Sequence, residues 1–236
     1  MSLSSQQSLS STVSNQSPQS PQRVRVKICG LTTAQDAEAA IHAGADALGF
    51  NTWPGSKRYL DLYQAAGWIK ALPSFVTRVA LCVNLPLQEA CRIATLPFID
   101  VIQFHGDETM AYCEEFAALG HSFVRAIRLE NPTQSASLAN WSTRQILLDA
   151  SVPGAFGGTG ARLDLGLAAE AVAACPNLSI TLAGGLEPEN VAEAVQRVRP
   201  YAVDVASGVE ASPGRKDAQK MHAFVQAVAV PPVTLT

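Results

Sequence analysis

Two side chains in this sequence have both the chemistry and the setting for proton transfer. Cys29 ends the apolar run at residues 24–29 and is followed by Gly30, and Asp149 ends the run at residues 145–149. A thiolate can remove a proton and a carboxylic acid can donate one. Only the thiolate is reactive, so a cysteine with this task is expected to have its pKa lowered by nearby positive charge or backbone dipoles. The bland readings are a small buried hydrophobe for Cys29 and a loop-capping carboxylate for Asp149. Cys82, Cys91, Cys113 and Cys175 are read as such hydrophobes.

Further polar residues fall close by in the same runs. Alternation along a strand puts Lys27 on the side of Cys29, about 6.6 Å further in. A cation there needs a partner, and Asp204, two residues before Ala206 in the last apolar run, is expected to supply it as a structural ion pair. Arg58, in "SKR", offers a planar fork suited to a carboxylate. Gln103 and His105 end the fourth run, and a structural or secondary binding role suits them. Trp53 offers an aromatic wall or simply packs its loop. His42, His121 and His222 are assigned no chemistry.

Three loops carry glycines: "GAFGGTG" at 154–160, "AGGLEPEN" at 183–190 and "ASGVEASPG" at 206–214. Glycine lets backbone N–H groups approach an anion, and a following helix N-terminus adds partial positive charge. Gly158, Gly160, Gly184, Gly185, Ser207 and Gly208 are the candidates to cradle a phosphate. No G-K-[ST] follows, so a nucleotide triphosphate is not implied. A phosphorylated small molecule is the expected partner.

The elements that must position these residues alternate regularly. Strands are expected at 24–29, 46–50, 78–83, 100–104, 122–127, 145–149, 179–183 and 202–206. Helices should begin near Thr33, Asp61, Leu87, Glu108, Thr133, Asp164, Pro188 and Asp217. Thr33 before Asp36 and Pro188 in a first turn are start signals, and Gly44 and Gly120 are stop signals. The fifth helix, behind Asn131-Pro132, is the weakest. Eight such units in about 205 residues predict an α/β fold, a single (β/α)8 TIM barrel of the phosphate-binding type, with chemistry at the carboxyl ends of the strands. An open doubly wound sheet would usually carry G-x-G-x-x-G after its first strand, which is absent.

Composition agrees. The 236 residues suit one large domain, with 47% hydrophobic and 16% charged residues and a formal net charge of −3. There is no basic cluster for a nucleic acid and no apolar stretch long enough for a membrane span. Five cysteines, with no C-x-x-C pair, argue against disulfides or a zinc knuckle and for a reducing, cytoplasmic setting. Residues 1–23 are Ser/Gln-rich with Arg23 as the one charge, and are expected to be a disordered tail before a catalytic domain at 24–230. Residues 151–162 are expected to be a mobile loop. The quaternary state reads as monomer or homodimer.

"RVKICGLT" at 25–32, "GADALGF" at 44–50, "SKRY" at 56–59, "IQFHGDE" at 102–108, "LLDA" at 147–150, "GGTG" at 157–160, "LAGGLEPENV" at 182–191 and "VDVASGVEASPGRKD" at 203–217 resemble the phosphoribosylanthranilate isomerase family. The resemblance spans the chain apart from its first 23 residues and last few. It implies a cofactor-free, metal-free Amadori rearrangement of an N-glycoside of ribose 5-phosphate and anthranilate. By that resemblance Asp149 is the general acid at the furanose oxygen and Cys29 the general base at C2. Arg58 binds the anthranilate carboxylate, and the glycine loops hold the phosphate. Asn51-Thr52-Trp53 and Leu165 depart from the family's commoner aromatic or apolar residues. The alternatives are another phosphosugar barrel enzyme and a non-catalytic barrel that binds a phosphorylated ligand. An indole-glycerol-phosphate synthase would need a helical N-terminal extension and an inward Lys–Glu pair. A histidine-pathway isomerase would carry Asp where Cys29 stands.

Overall fold

In the computed structural model, residues 23–150 and 162–229 are described. Strands β1 (Arg25–Cys29), β2 (Ala47–Asn51), β3 (Thr77–Cys82), β4 (Val101–Phe104), β5 (Phe123–Arg128), β6 (Gln145–Asp149), β7 (Ser179–Leu182) and β8 (Ala202–Val205) form a closed barrel in chain order. All neighbours run parallel, and β8 returns to β1 with Lys27 level with Asp204. Every expected strand is present within one residue of its expected bounds. The tail expected at 1–23 lies, apart from Arg23, outside the described residues; Arg23 itself pairs with Asp46. The loop expected at 151–162 is likewise outside them apart from Arg162.

Side-chain alternation sorts the barrel into two cores. Val26, Ile28, Leu48, Phe50, Ile102, Phe104, Ile146 and Leu148 point outward and join one cluster with the helices. Phe104 meets Phe116 edge-on at 4.9 Å between ring centroids. Each such side chain removed from water contributes roughly 1.5–3 kcal/mol. Inside, the apolar packing is small: Cys29 with Leu81 and Val83, and Ala126 with Leu147 and Ala183. The remaining inward positions are left for polar side chains.

The outer helices are α1 (Ala34–Ala43), α2 (Leu62–Lys70), α3 (Leu87–Ala94), α4 (Met110–Ala118), α5 (Pro132–Ser137), α6 (Leu165–Ala174), α7 (Val191–Val198) and α8 (Ala218–Val228). Thr33 caps α1 by accepting the Asp36 N–H, and Gly44 closes it at φ 100°. Gly120 follows α4 at φ 87°. The weak fifth helix is held by a capping box between Asn131 and Gln134.

Two starts differ from expectation. α4 begins at Met110, capped by Thr109, because the Glu108 carboxylate is taken by Asn84 N at 2.7 Å and Gly106 N at 2.9 Å. α7 begins at Val191, not Pro188, because Asn190 folds residues 187–190 into a turn: it accepts from Glu187 N and donates to Gly185 O, both at 2.9 Å. The loop after β8 also carries an unexpected hairpin, β9 (Glu210–Ser212) and β10 (Arg215–Lys216), behind a short 3-10 turn at Ser207–Val209.

Candidate active site

Cys29 is the last residue of β1, inward-facing and buried. Its neighbour on β2 is Gly49, and a Cβ built there would lie 2.7 Å from Cys29 Sγ and 3.0 Å from Lys27 Nζ. The thiol and the ammonium therefore converge on space that any larger residue would fill. Lys27 Nζ donates to Asp204 Oδ1 at 2.9 Å, both side chains buried, as the sequence led us to expect. Burial opposes Lys27's charge, but Asp204 and Cys29 outweigh it and raise its pKa. The thiol does not follow expectation. Burial pushes it above its ordinary 9.0, and Asp204 reinforces the rise; Lys27 and Lys216 only oppose it. The positive charge is present, but desolvation of the thiolate wins.

Gly30 has φ 74°, and a Cβ there would lie 2.4 Å from Arg58 Cδ, so the arginine stem crosses directly over the residue after the thiol. The loop carrying Arg58 is shaped by the departures at 51–53. Asn51 accepts from Trp53 N at 2.9 Å and donates to Ser56 Oγ at 3.1 Å, and Thr52 donates to Leu81 O at 2.9 Å. Leu165, the other departure, opens α6.

Arg58 already holds a carboxylate. Its Nε donates to Glu210 Oε1 at 2.7 Å and its Nη2 to Oε2 at 2.8 Å. Lys216 Nζ also donates to Glu210 Oε1 at 3.0 Å and to Ala206 O at 2.8 Å. Burial alone would raise the Glu210 carboxyl, but Arg58 and Lys216 hold it below its usual range. Burial lowers the Lys216 ammonium in spite of Glu210. Sequence reasoning missed this triad, although Glu210 and Lys216 both stand in the motif at 203–217. Beside it lies a cleft of about 500 Å³ reached by Trp53, Arg58, Ser207 and Glu210, within the size range of small-molecule sites.

Asp149 is the last residue of β6, three strands from β1 around the ring and at the same carboxyl rim. Its Oδ1 accepts the Ala150 N–H at 2.8 Å, and its Oδ2 faces His105 Nε2 at 3.1 Å. His105 Nδ1 in turn faces Gln103 Nε2 at 2.9 Å. Gly184, at φ 87°, stands where a Cβ would lie 2.7 Å from Ala150 N and 3.1 Å from Asp149 Oδ1. The fourth loop is pinned from behind: Arg125 donates to Glu108 Oε2 at 2.9 Å and to Phe104 O and Gly106 O, each at 3.1 Å.

The structure thus brings Cys29, Lys27, Asp204 and Arg58 together on one side of the rim, and Asp149, His105 and Gln103 on the other. Of the phosphate candidates, Gly158 and Gly160 lie outside the described residues. The other loops press together: a Cβ on Gly208 would lie 2.0 Å from Leu186 O. Gly185 adopts φ 63° in the same cluster. Such a site has an acid, a base, cationic groups and a glycine-lined corner on one concave face. Among the described residues no His/Cys/Asp/Glu group has the arrangement to hold a metal ion.

Comparison with known proteins bears on the family and the fold. A family model described as N-(5'phosphoribosyl)anthranilate (PRA) isomerase matches residues 26–227. The N-(5'-phosphoribosyl)anthranilate isomerase of Magnetococcus marinus is 47% identical over 205 residues, 87% of this chain and 95% of its own length. A phosphoribosyl anthranilate isomerase solved in complex with reduced 1-(o-carboxyphenylamino)-1-deoxyribulose 5-phosphate superposes with a TM-score of 0.75 at 34% identity, over 87% of this chain and 98% of that one. The structure of monomers generated from the dimeric Thermotoga maritima isomerase gives 0.74 at 34% identity, with the same coverage.

Proposed function

The chain belongs to the N-(5'-phosphoribosyl)anthranilate isomerase family, aldose–ketose isomerases of tryptophan biosynthesis, and on that footing we propose that Asp149 and Cys29 are the acid and base of its Amadori rearrangement. The observation that carries the assignment is the placement of a buried thiol and a buried carboxyl group, both inward-facing, at the same rim on strands nearly opposite each other.

Asp149 gives a proton to the furanose oxygen of N-(5'-phosphoribosyl)anthranilate. The C1–O bond breaks, and the anthranilate nitrogen lone pair forms the C1=N bond of a Schiff base. That bond makes the C2 hydrogen acidic. The Cys29 thiolate removes it, the electrons move to C1 and nitrogen, and the resulting enolamine tautomerises to 1-(2-carboxyphenylamino)-1-deoxyribulose 5-phosphate. Lys27 and Lys216 reduce, without cancelling, the cost of holding a thiolate in a buried place.

The two anionic ends of the substrate are held apart. The glycine loops after β7 and β8, with Gly184, Gly185, Ser207 and Gly208, receive the phosphate. Arg58 receives the anthranilate carboxylate while Glu210 and Lys216 keep its other edge fixed. The catalytic domain is residues 24–230, preceded by a tail at 1–23. A cytoplasmic setting is supported by five free cysteines, and a monomer or homodimer by the two forms of the Thermotoga maritima relative.

The experiment is direct. The purified protein is given phosphoribosylanthranilate and the anthranilate fluorescence is followed. Cys29→Ala and Asp149→Asn should each lower kcat by roughly 10² or more. Undiminished turnover in either variant removes that residue from the mechanism.

A further inference from the structure

Gln103, His105 and Asp149 form a buried line of three side chains drawn from two strands that are not neighbours. Gln103 is completely buried and the other two nearly so. β5 lies between β4 and β6, and the line crosses it where its inward residue is Ala126, small enough to leave His105 a path to Asp149. A cavity of about 120 Å³ opens beside the contact.

The chemistry of the line fixes its direction. An amide nitrogen only donates, so Gln103 Nε2 makes His105 Nδ1 an acceptor. The ring proton then sits on Nε2, aimed at Asp149 Oδ2. Turning the amide over would instead bury an NH₂ group without a partner. As it stands only the carbonyl Oε1 is unpartnered, and a carbonyl tolerates this better than an N–H.

We propose that His105 is a positioning residue for Asp149 and that Gln103 fixes the tautomer in which it can be one. The inference rests on Asp149 being the acid. When Asp149 delivers its proton, negative charge develops on a carboxylate whose oxygens already face two N–H donors, His105 Nε2 and Ala150 N. Donors placed in advance where charge will develop lower the barrier without reorganisation. The ring N–H at Nε2 does this from a side chain that takes no part in the transfer itself. The remaining charges around the pair are matched with one another. Asp107 and Arg128 stand 3.6 Å apart at the mouth of the cavity, and Arg125 is held by Glu108 behind it. On the β7 side the neighbours are Thr181 and, just past the strand, Ala183 and Gly184, none of them charged.

The test compares His105→Leu, His105→Gln and Gln103→Leu by pH–rate profile and by binding of the reduced product analogue, 1-(o-carboxyphenylamino)-1-deoxyribulose 5-phosphate in reduced form. His105→Leu should lower kcat about ten- to a hundredfold, the size of one hydrogen bond to a developing charge, with analogue binding changed less than about threefold. Its acidic limb should move to higher pH, because the carboxylate has lost a donor. His105→Gln, whose amide reaches the same place with an N–H, should recover most of the rate and the limb. Gln103→Leu should fall between. In an Asp149→Asn background, His105→Leu should have no further effect. A drop in kcat with an unmoved limb and no rescue by Gln would mean that His105 only packs. Full activity in His105→Leu overturns the proposal while leaving the acid assignment intact. Full activity in Asp149→Asn removes the acid assignment itself.

Discussion

Gly49 and Cys29 are register partners on adjacent strands, and a Cβ on the glycine would stand 2.7 Å from the thiol sulfur. The position of the thiol is thus set by an absence on the neighbouring strand. Gly49→Ala should leave the barrel folded, at an overpacking cost of about 1–3 kcal/mol. It should lower kcat by roughly 10², because the displaced thiol loses its alignment with C2. Urea denaturation and steady-state kinetics on the same preparation separate the two effects, and wild-type kcat in a folded Gly49→Ala protein would contradict the placement.

Lys27 and Asp204 should behave as a buried pair. Lys27→Met leaves Asp204 charged and unpartnered and should cost about 3–5 kcal/mol, whereas Lys27→Met with Asp204→Leu should return most of that stability. Lys27 has a raised pKa in the fold. Its contribution is therefore fully present below the ordinary lysine value and is lost only as pH rises through the raised one. Chemical denaturation of the wild type from roughly pH 7 to pH 9 should show no loss attributable to this pair.

The pH–rate profile carries a second signature. The working form holds a thiolate and a carboxylic acid together, and carboxylic acids as a class titrate well below thiols. Between the two titrations the thiolate fraction rises as the acid fraction falls, so kcat/KM should be flat through neutrality. Above the thiol's pKa only the acid fraction still changes, and activity falls. That alkaline limb should lie above pH 9.0, since burial has raised Cys29. Removing the opposing cation in Lys27→Met should move it higher still. A limb below pH 8 or so would mean that the thiol is not the titrating base.

Glu210 holds Arg58 and Lys216 at once. Glu210→Gln would leave a fully buried lysine with no counter-charge and should cost several kcal/mol, about 3–5 by the usual measure of a broken buried pair. Arg58→Lys keeps a charge but not the two-pronged grip. It should raise KM for phosphoribosylanthranilate by roughly tenfold or more with a smaller change in kcat. Equal KM in the two proteins would show that the substrate carboxylate is held elsewhere.

Glu108 joins three donors on separate segments, Asn84 N, Gly106 N and Arg125 Nη1. Glu108→Ala should destabilise the fold by about 3–5 kcal/mol, because Arg125 is left buried and half-bonded. Thermal melts of the variant and of Glu108→Gln, which keeps an acceptor oxygen, give the comparison; identical melting of Glu108→Ala and the wild type would exclude the pin.

Much of this molecule is legible in the sequence because barrel strands are short and regularly interrupted. Alternation alone places Lys27 beneath Cys29 and sends Val26 and Ile28 outward. Closure of the ring then predicts Asp204 as the lysine's partner. What the sequence hides are contacts whose members are remote and have several plausible tasks. Arg58 reads as free to bind a ligand, yet Glu210, 152 positions on, already occupies it. Glu108 reads as a helix start and is instead a buried junction. The start of α7 is displaced because Asn190 uses its amide on the loop behind it. The direction of the Cys29 pKa was misjudged for a related reason: spacing shows which charges are near, but not how completely water is excluded.

Lys27 and Asp204 meet across the seam of the barrel, although 177 residues separate them along the chain. At a synthesis rate of ~5–20 residues per second, roughly ten to thirty seconds pass between the appearance of the lysine and that of the aspartate. Throughout that interval the lysine beneath the thiol has no counter-ion from the eighth strand, so the last strand to be made carries the charge that the first strand's buried cation needs.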